Sequence, residues 1–332
     1  MNRRDFTKLL GFSALTVAAH AENRSGRRQR SRYDSERGRC PLPDLFLAPA
    51  PQFSITMDDF FWQKPVKLSS AERNQSILDT LRANSIKAAL FVIGRNAEQK
   101  EGKQLLTAWN EAGHLIGNHT YSHRNLNSAD NSLSSYEDDI LRAEAVLKDF
   151  PRFRKYFRFP MLKEGDTAAK RDGLRDFLAY RGYRTGHVTI DTSDWYIDLR
   201  LTARLQKDPA ADVKPYRDYY LEHMWARAEY YNELAQRVLG RQVKHTVLVH
   251  YSLLNGLFLN DVIEMFKSKG WQAIDAEEAF TDPVFAAKPK ILPAGESIVW
   301  ALAKEKGTIA MSLRYPAEDA EYEKARMDKL GL

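Results

Sequence analysis

Asp58-Asp59, His119 with His123, Arg158-Phe159-Pro160, Asp191 with Asp194-Trp195, and His250 follow one another along this 332-residue chain as five short clusters. Their side chains are those of a hydrolytic metal site. Asp59, His119 and His123 could supply three ligands to one divalent cation and leave a position for water, the pattern of a catalytic rather than a closed structural zinc site. The i, i+4 spacing of the histidines puts both imidazoles on one side of a helical turn, within reach of a single ion. Asp58 and His250 then remain as a carboxylate base and an imidazole acid, the two proton carriers that hydrolysis of an amide or ester needs. Taken singly, the clusters have ordinary explanations: a turn or helix cap, an ion-pairing strand end, a capped loop, a satisfied core histidine. Their combination is what carries the chemistry.

The elements between the clusters must bring them together. Strand patterns cover residues 52–57, 87–93, 114–118, 156–159, 186–190, 246–249 and 271–274, and helical patterns cover 70–85, 99–112, 132–150, 167–181, 215–239 and 257–269. This alternation predicts an α/β fold, a distorted (β/α) barrel of about seven parallel strands. A closed barrel is favoured over an open sheet because the clusters fall at successive C-terminal strand ends, where barrel enzymes assemble their sites. The segment 196–243 is long for a simple crossover. Its helix carries a stripe of Tyr220, Met224, Tyr231, Leu234 and Val238 that should face the core. Off that stripe, Tyr216, Tyr219, Trp225 and Tyr230 are candidates for stacking on sugar rings.

Arg3-Arg4, a mostly apolar stretch over 9–19 and Ala19-His20-Ala21 together read as a twin-arginine signal peptide over residues 1–21. The protein is therefore expected to be exported, to the periplasm or beyond, with no transmembrane anchor, because no later segment has the roughly twenty apolar residues that spanning requires. Residues 1–40 hold ten Lys/Arg against four Asp/Glu, which is the entire formal charge of +6. The rest of the chain is neutral, so the basic balance gives no support for nucleic-acid binding. Residues 22–44 read as a disordered Arg-rich linker, 45–300 as the catalytic domain and 301–332 as a C-terminal extension. Cys40 is the only cysteine, so core burial and not a disulfide must fix the fold.

The five clusters, in this order, resemble the NodB-like polysaccharide deacetylase family (carbohydrate esterase family four), over roughly residues 50–280. Thr56-Met57-Asp58-Asp59 is similar to its Thr-Phe-Asp-Asp motif, and His119 to His123 to its His-(Ser/Thr)-x-x-His motif. Arg158-Phe159-Pro160-Met161, Asp191 to Trp195 and Leu248-Val249-His250 correspond to the remaining three. The resemblance implies that Asp58 is the base and that Asp59, His119 and His123 hold the metal. It further implies that Arg158 orients Asp58, that the Met161 N–H helps hold the oxyanion, that Asp194 tunes His250, and that Trp195 lines the substrate groove. Met57 and Met161 stand where the family usually has aromatics; the second change bears on the substrate surface rather than the chemistry.

The expected reaction is metal-dependent removal of N-acetyl groups from an N-acetylglucosamine-containing polysaccharide, peptidoglycan or a chitin-like oligomer. Zinc is the expected ion for a mixed N/O ligand set, and cobalt or nickel could occupy the same donors. The alternatives are an O-acetyl esterase or other amidase of the same fold, and a catalytically silent carbohydrate-binding protein.

Overall fold

The computed structural model describes residues 49–63, 65–307 and 320–332. The twin-arginine segment, the Arg-rich linker and Cys40 lie outside the described residues. The chain runs through β1 (Gln52–Asp58), α1 (Ser70–Ala83), β2 (Ala89–Val92), α2 (Gly94–Glu98), α3 (Lys100–Glu111), β3 (Leu115–Asn118), α4 (Leu133–Leu147) and β4 (Phe153–Phe157). It continues with β5 (Lys163–Gly165), α5 (Ala168–Tyr180), β6 (Arg184–Thr185), α6 (Asp194–Lys207), α7 (Lys214–Leu239), β7 (Lys244–His250), α8 (Leu253–Ser268) and β8 (Gln272–Ala273). After these come α9 (Ala276–Ala279), β9 (Ala294–Gly295), α10 (Ile298–Lys306) and α11 (Ala320–Leu330).

The main sheet is parallel throughout, in the order β6-β4-β3-β2-β1-β7, with β8 beside the start of β1. β1 is buried on both faces from Phe53 onward, although its sequence alternates apolar Phe53, Ile55 and Met57 with polar Ser54, Thr56 and Asp58. Its two hydroxyls reach neighbouring carbonyls, Ser54 Oγ that of His245 at 3.3 Å and Thr56 Oγ1 that of Val247 at 2.9 Å. Helix starts follow local capping chemistry. Ser69 and Glu72 form a reciprocal capping box at α1, and Ser132, Thr167 and Ser252 cap α4, α5 and α8. Gly240, at φ 70°, ends α7 in the left-handed conformation that glycine adopts without strain.

One segment closes the sheet into the expected distorted barrel. Residues 186–190, expected as a strand, make strand-like bonds only at their two ends. The Gly186 N–H donates to Phe157 O of β4 at 2.7 Å, while the Ile190 N–H donates to Thr246 O of β7 at 3.0 Å. Val247 pairs with Ile55 on one side and Ile190 on the other, so this stretch joins the two outer strands. Interlocked threonines hold the seam: the Thr246 N–H donates to Thr189 Oγ1 at 2.8 Å, and Thr246 Oγ1 donates to His187 O at 3.0 Å. The strand expected at 156–159 lies three residues earlier, as β4, because Phe159 and Pro160 already belong to the turn at the site.

The long segment after residue 193 resolves into two helices, α6 and α7. Tyr220, Met224, Tyr231, Leu234 and Val238 are all buried, as the stripe requires. The aromatics off the stripe pack within the fold. Tyr216 and Tyr219 are buried as well, Trp225 packs edge-on against Phe266 and Trp271, and Tyr230 packs edge-on against Tyr231. A single-stripe reading assumes one covered face, whereas α7 packs against α6, α8 and α10 and also meets α11 through Tyr219.

Thr246→Val keeps shape but leaves the buried His187 carbonyl without its donor. Urea denaturation should show a loss of about 1–3 kcal/mol, the scale for an unsatisfied buried group; an unchanged midpoint would contradict this account of the seam.

Candidate active site

Strand register brings the clusters together. Asp58, the last residue of β1, pairs with His250, the last residue of β7. Val92 of β2 pairs with Asn118 of β3, which places His119 just past the same edge, and the Arg158 N–H donates to Asn118 O at 3.0 Å. These C-terminal ends surround a cleft of about 280 Å³ lined by Asp58, Asp59, His119, His123, Met161, Trp195 and His250, with Leu162 and Leu248 as apolar wall. Arg158 and Asp194 stand behind it, both essentially fully buried.

The two adjacent carboxylates face different partners. Asp58 Oδ1 accepts from Arg158 Nη1 at 2.8 Å, and its Oδ2 lies 3.9 Å from His119 Nε2. At Asp59 the backbone turns to φ 76°, and Oδ1 lies 3.3 Å from His119 Nε2 and 3.1 Å from His123 Nε2. That buried oxygen has no hydrogen-bond partner among the described residues. Two donors bound at ~2.0–2.1 Å to one tetrahedral ion stand roughly 3.3 Å apart. The spacing and the orphaned oxygen therefore fit a divalent metal held by Asp59, His119 and His123, which also form a potential metal-ligand cluster by proximity. His119 is oriented from behind, where Nδ1 bonds Arg158 O at 2.8 Å and leaves Nε2 facing the cleft.

The histidines meet through a loop and not the helical turn that their spacing suggested. Thr120 and His123 both take φ 60°. Side chains impose this conformation: Asn118 Oδ1 accepts the Thr120 N–H at 2.9 Å, Thr120 Oγ1 accepts the His123 N–H at 2.9 Å, and Asp139 Oδ2 accepts the N–H groups of Tyr121 and Ser122. Of nine described non-glycine residues with positive φ, six are Asp59, Phe60, Thr120, His123, Met161 and Leu162, all at or beside the cleft. Such backbone costs of order 1–3 kcal/mol each and persists only where its surroundings enforce it, which marks a functional site.

Arg158 makes one compact set of contacts. Besides Asp58, its Nη1 donates to Thr56 Oγ1 at 3.0 Å and its Nε to Gly186 O at 2.7 Å, with the guanidinium 4.1 Å over the Phe91 ring. Gly117 and Gly186 leave room for that ring, since a Cβ at either would lie within 2.7 Å of it. Across the cleft, His250 Nδ1 bonds Asp194 Oδ1 at 2.7 Å. Burial alone pushes the His250 imidazole down. The Asp194 carboxylate, through charge and hydrogen bond, and the charges of Asp59 and Asp58 more than reverse this and raise it to about 10.

Three supporting residues escaped the sequence reading. Asn255 Nδ2 donates to Asp194 Oδ2 at 2.9 Å and to His250 O at 2.9 Å, and its Oδ1 accepts from Tyr220. Asn255-Gly256 resembles a turn, which is why α8 was expected to begin at 257; a polar residue on a buried helical face was the usable signal. Asn96 Nδ2 donates to Phe60 O at 3.3 Å beneath the Asp59–Phe60 turn, and Asp139 holds the histidine loop. Neither has a local sequence signature.

Residues 48–176 match the family model described as polysaccharide deacetylase. A peptidoglycan-N-acetylglucosamine deacetylase of Bacillus cereus is 30% identical over 125 residues, 37% of this chain and 42% of that protein. The chain thus spans about four tenths of that relative's length. A chitin deacetylase of Colletotrichum lindemuthianum is 26% identical over 215 residues, 62% of this chain and 73% of that one. Among solved structures, a family 4 carbohydrate esterase from Streptomyces lividans in complex with acetate aligns at TM-score 0.45 and 19% identity, covering 69% of this chain and 95% of its own. With its motifs gathered in order at one strand edge, the chain is similar over residues 48–176 to the polysaccharide deacetylase family.

Proposed function

We propose that the protein is a divalent-metal hydrolase that removes N-acetyl groups from an N-acetylglucosamine-containing polysaccharide, peptidoglycan or a chitin-like oligomer. The observation that carries this reading is the placement of Asp58 and His250 at one cleft with the Asp59–His119–His123 donors beside them. Mixed N/O donors favour zinc. Such an ion supplies Lewis-acid polarisation of the acyl carbonyl and acidifies water.

The chain's own groups do the rest. Arg158 occupies Asp58 Oδ1, so Oδ2 is the oxygen left to take the proton of the attacking water. The Met161 N–H, at a left-handed turn on the cleft wall, is the proposed donor to the oxyanion. Because Asp194 engages His250 Nδ1, the proton delivered to the leaving amine comes from Nε2. Trp195 lines both this cleft and a second one of about 280 Å³, which also shares Asp59 and His250 and is lined by the exposed Phe61. Room for a neighbouring sugar unit beside an aromatic face suits a polymer substrate.

In this reading residues 1–21 direct export by the twin-arginine route, 22–44 are a linker and the 45–300 domain acts on envelope or extracellular polymer. Among the described residues no helix is long and apolar enough to cross a membrane.

Acetate release from peptidoglycan, chitin oligomers and acetylated xylan tests the function: turnover of the first or second supports it, and turnover of xylan alone would overturn it. Loss of the acid should be selective. An amine leaves only when protonated, whereas an aryl oxide leaves unaided, so His250→Ala should cut hydrolysis of an N-acetylglucosamine oligomer by about 10²–10⁴-fold and aryl acetate far less. Equal losses would remove His250 from the acid role.

The pH profile follows from the same pair. His250 has a raised value, so its proton is present at neutral pH and is lost as pH climbs towards about 10. A bound cation offsets the charges of Asp59 and Asp58, placing the alkaline limb of kcat between the ordinary histidine value and that figure. Asp194→Asn removes the main raising charge and should move this limb to lower pH; a limb that stays put would contradict the assignment.

A further inference from the structure

Beyond the cleft, a buried polar cluster that the proposed mechanism leaves unused joins α7 and α11 beneath the start of α6. Glu323 of α11 is 5% exposed, although most of the described side chains of that helix face solvent. Its Oε1 lies 3.0 Å from Arg227 Nη2 and 3.3 Å from His223 Nδ1, and its Oε2 accepts from the Tyr219 hydroxyl at 2.6 Å. Burial pushes this carboxyl up, but the hydrogen bonds from His223 and Tyr219 and the charge of Arg227 pull it down.

The cluster leads to the acid. The Ser193 N–H donates to His223 Nε2 at 3.0 Å. A backbone N–H can only donate, so Nε2 is the unprotonated nitrogen and Nδ1 carries the hydrogen that faces Glu323. Ser193 is the N-cap residue of α6, and Asp194 is the first residue of that helix. Asp194 Oδ1 in turn meets His250 Nδ1 at 2.7 Å, while Oδ2 is held by the His250 N–H and Asn255. The carboxylate of Asp194 is thus fixed from the β7–α8 side, and the backbone next to it from the α7–α11 side. Further bonds seat α11 across both helices: Arg200 of α6 meets Asp328 at 2.7 Å, and Arg326 pairs with Glu222 of α7. Met327 is fully buried.

We infer that Glu323 is a positioning residue for the proposed catalytic acid, acting through His223 and the Ser193 N–H to hold Asp194 where it orients His250. The C-terminal helix is then part of the working site although it touches neither cleft. This rests on the proposed acid role of His250, so the test includes a readout that is independent of turnover.

In wild-type protein loaded with zinc, the proton shared by His250 Nδ1 and Asp194 should give a downfield proton NMR resonance that vanishes in His250→Ala. Glu323→Gln keeps size and removes charge; His223→Phe keeps a ring and removes the acceptor for the Ser193 N–H. Each should shift or broaden that resonance. Each should also lower hydrolysis of an N-acetylglucosamine oligomer by about ten- to a hundredfold, the scale of outer orienting contacts, with zinc retained and aryl acetate hydrolysis little changed. An unchanged resonance in the folded variants overturns the inference, as do equal losses on both substrates, the mark of general destabilisation. If Glu323→Gln does not fold, His223→Phe and Tyr219→Phe, which leave the Arg227–Glu323 pair intact, decide by the same readouts. A wild type without amide hydrolysis would overturn the functional reading instead, and the resonance would still decide the positioning.

Discussion

The buried contact between Arg158 and Asp58 organises the strand edge on which everything else stands. Taking a guanidinium and a carboxylate out of water costs several kcal/mol per ion, and that cost is recovered only by well-formed contacts on every side. Arg158 has them in Asp58, Thr56, Gly186 and the Phe91 face. The same residue uses its carbonyl to hold His119 Nδ1. One side chain therefore fixes a carboxylate on β1, and the backbone of that same residue aims an imidazole on the far side of β2. The proposed base and one proposed ligand are set relative to each other by a single residue.

Once Asp58 is committed to Arg158, Asp59 is the carboxylate left to face the histidines, and the chain must turn sharply to do it. The left-handed backbone at Asp59 and Phe60 is braced by Asn96, whose carbonyl accepts from Trp62 Nε1 at 3.0 Å. The histidine loop is braced in the same way by Asn118, Thr120 and Asp139. On the opposite wall Asp194 is gripped by His250, Asn255 and the start of α6. Strain thus collects where side chains must converge, and buried polar contacts with little direct chemical role hold it there.

Chemistry was more legible in the sequence than the scaffold that enforces it. Asp58, Asp59, His119, His123 and His250 declare themselves by type, spacing and position at strand ends, and β1 is visible as an alternating strand and β7 as a short apolar run. The loop form of 119–123 was not visible, because Asn118, Thr120 and Asp139 act through side chain–backbone bonds that leave no periodic trace. The stretch 186–190 has strand composition, yet it spans a gap between two strands and makes strand-like bonds only at its ends. α11 was hidden for another reason. Its sequence is mostly charged, and only Glu323 and Met327 among its described side chains are buried, so little apolar surface announces that it docks. Tyr216 and Tyr219 misled because a helix packed on several sides buries residues off its main stripe.

The central claim is that two neighbouring carboxylates have separate tasks, Asp58 committed to Arg158 and proton transfer, and Asp59 to the metal. Calorimetric titration of zinc into metal-free Asp58→Asn and Asp59→Asn proteins tests it most directly. Asp58→Asn should still bind one equivalent with affinity near that of the wild type, while Asp59→Asn should lose most of its affinity because a ligand is gone. An Asp58→Asn protein that fails to bind zinc, beside an Asp59→Asn protein that binds normally, would show that the two roles are reversed.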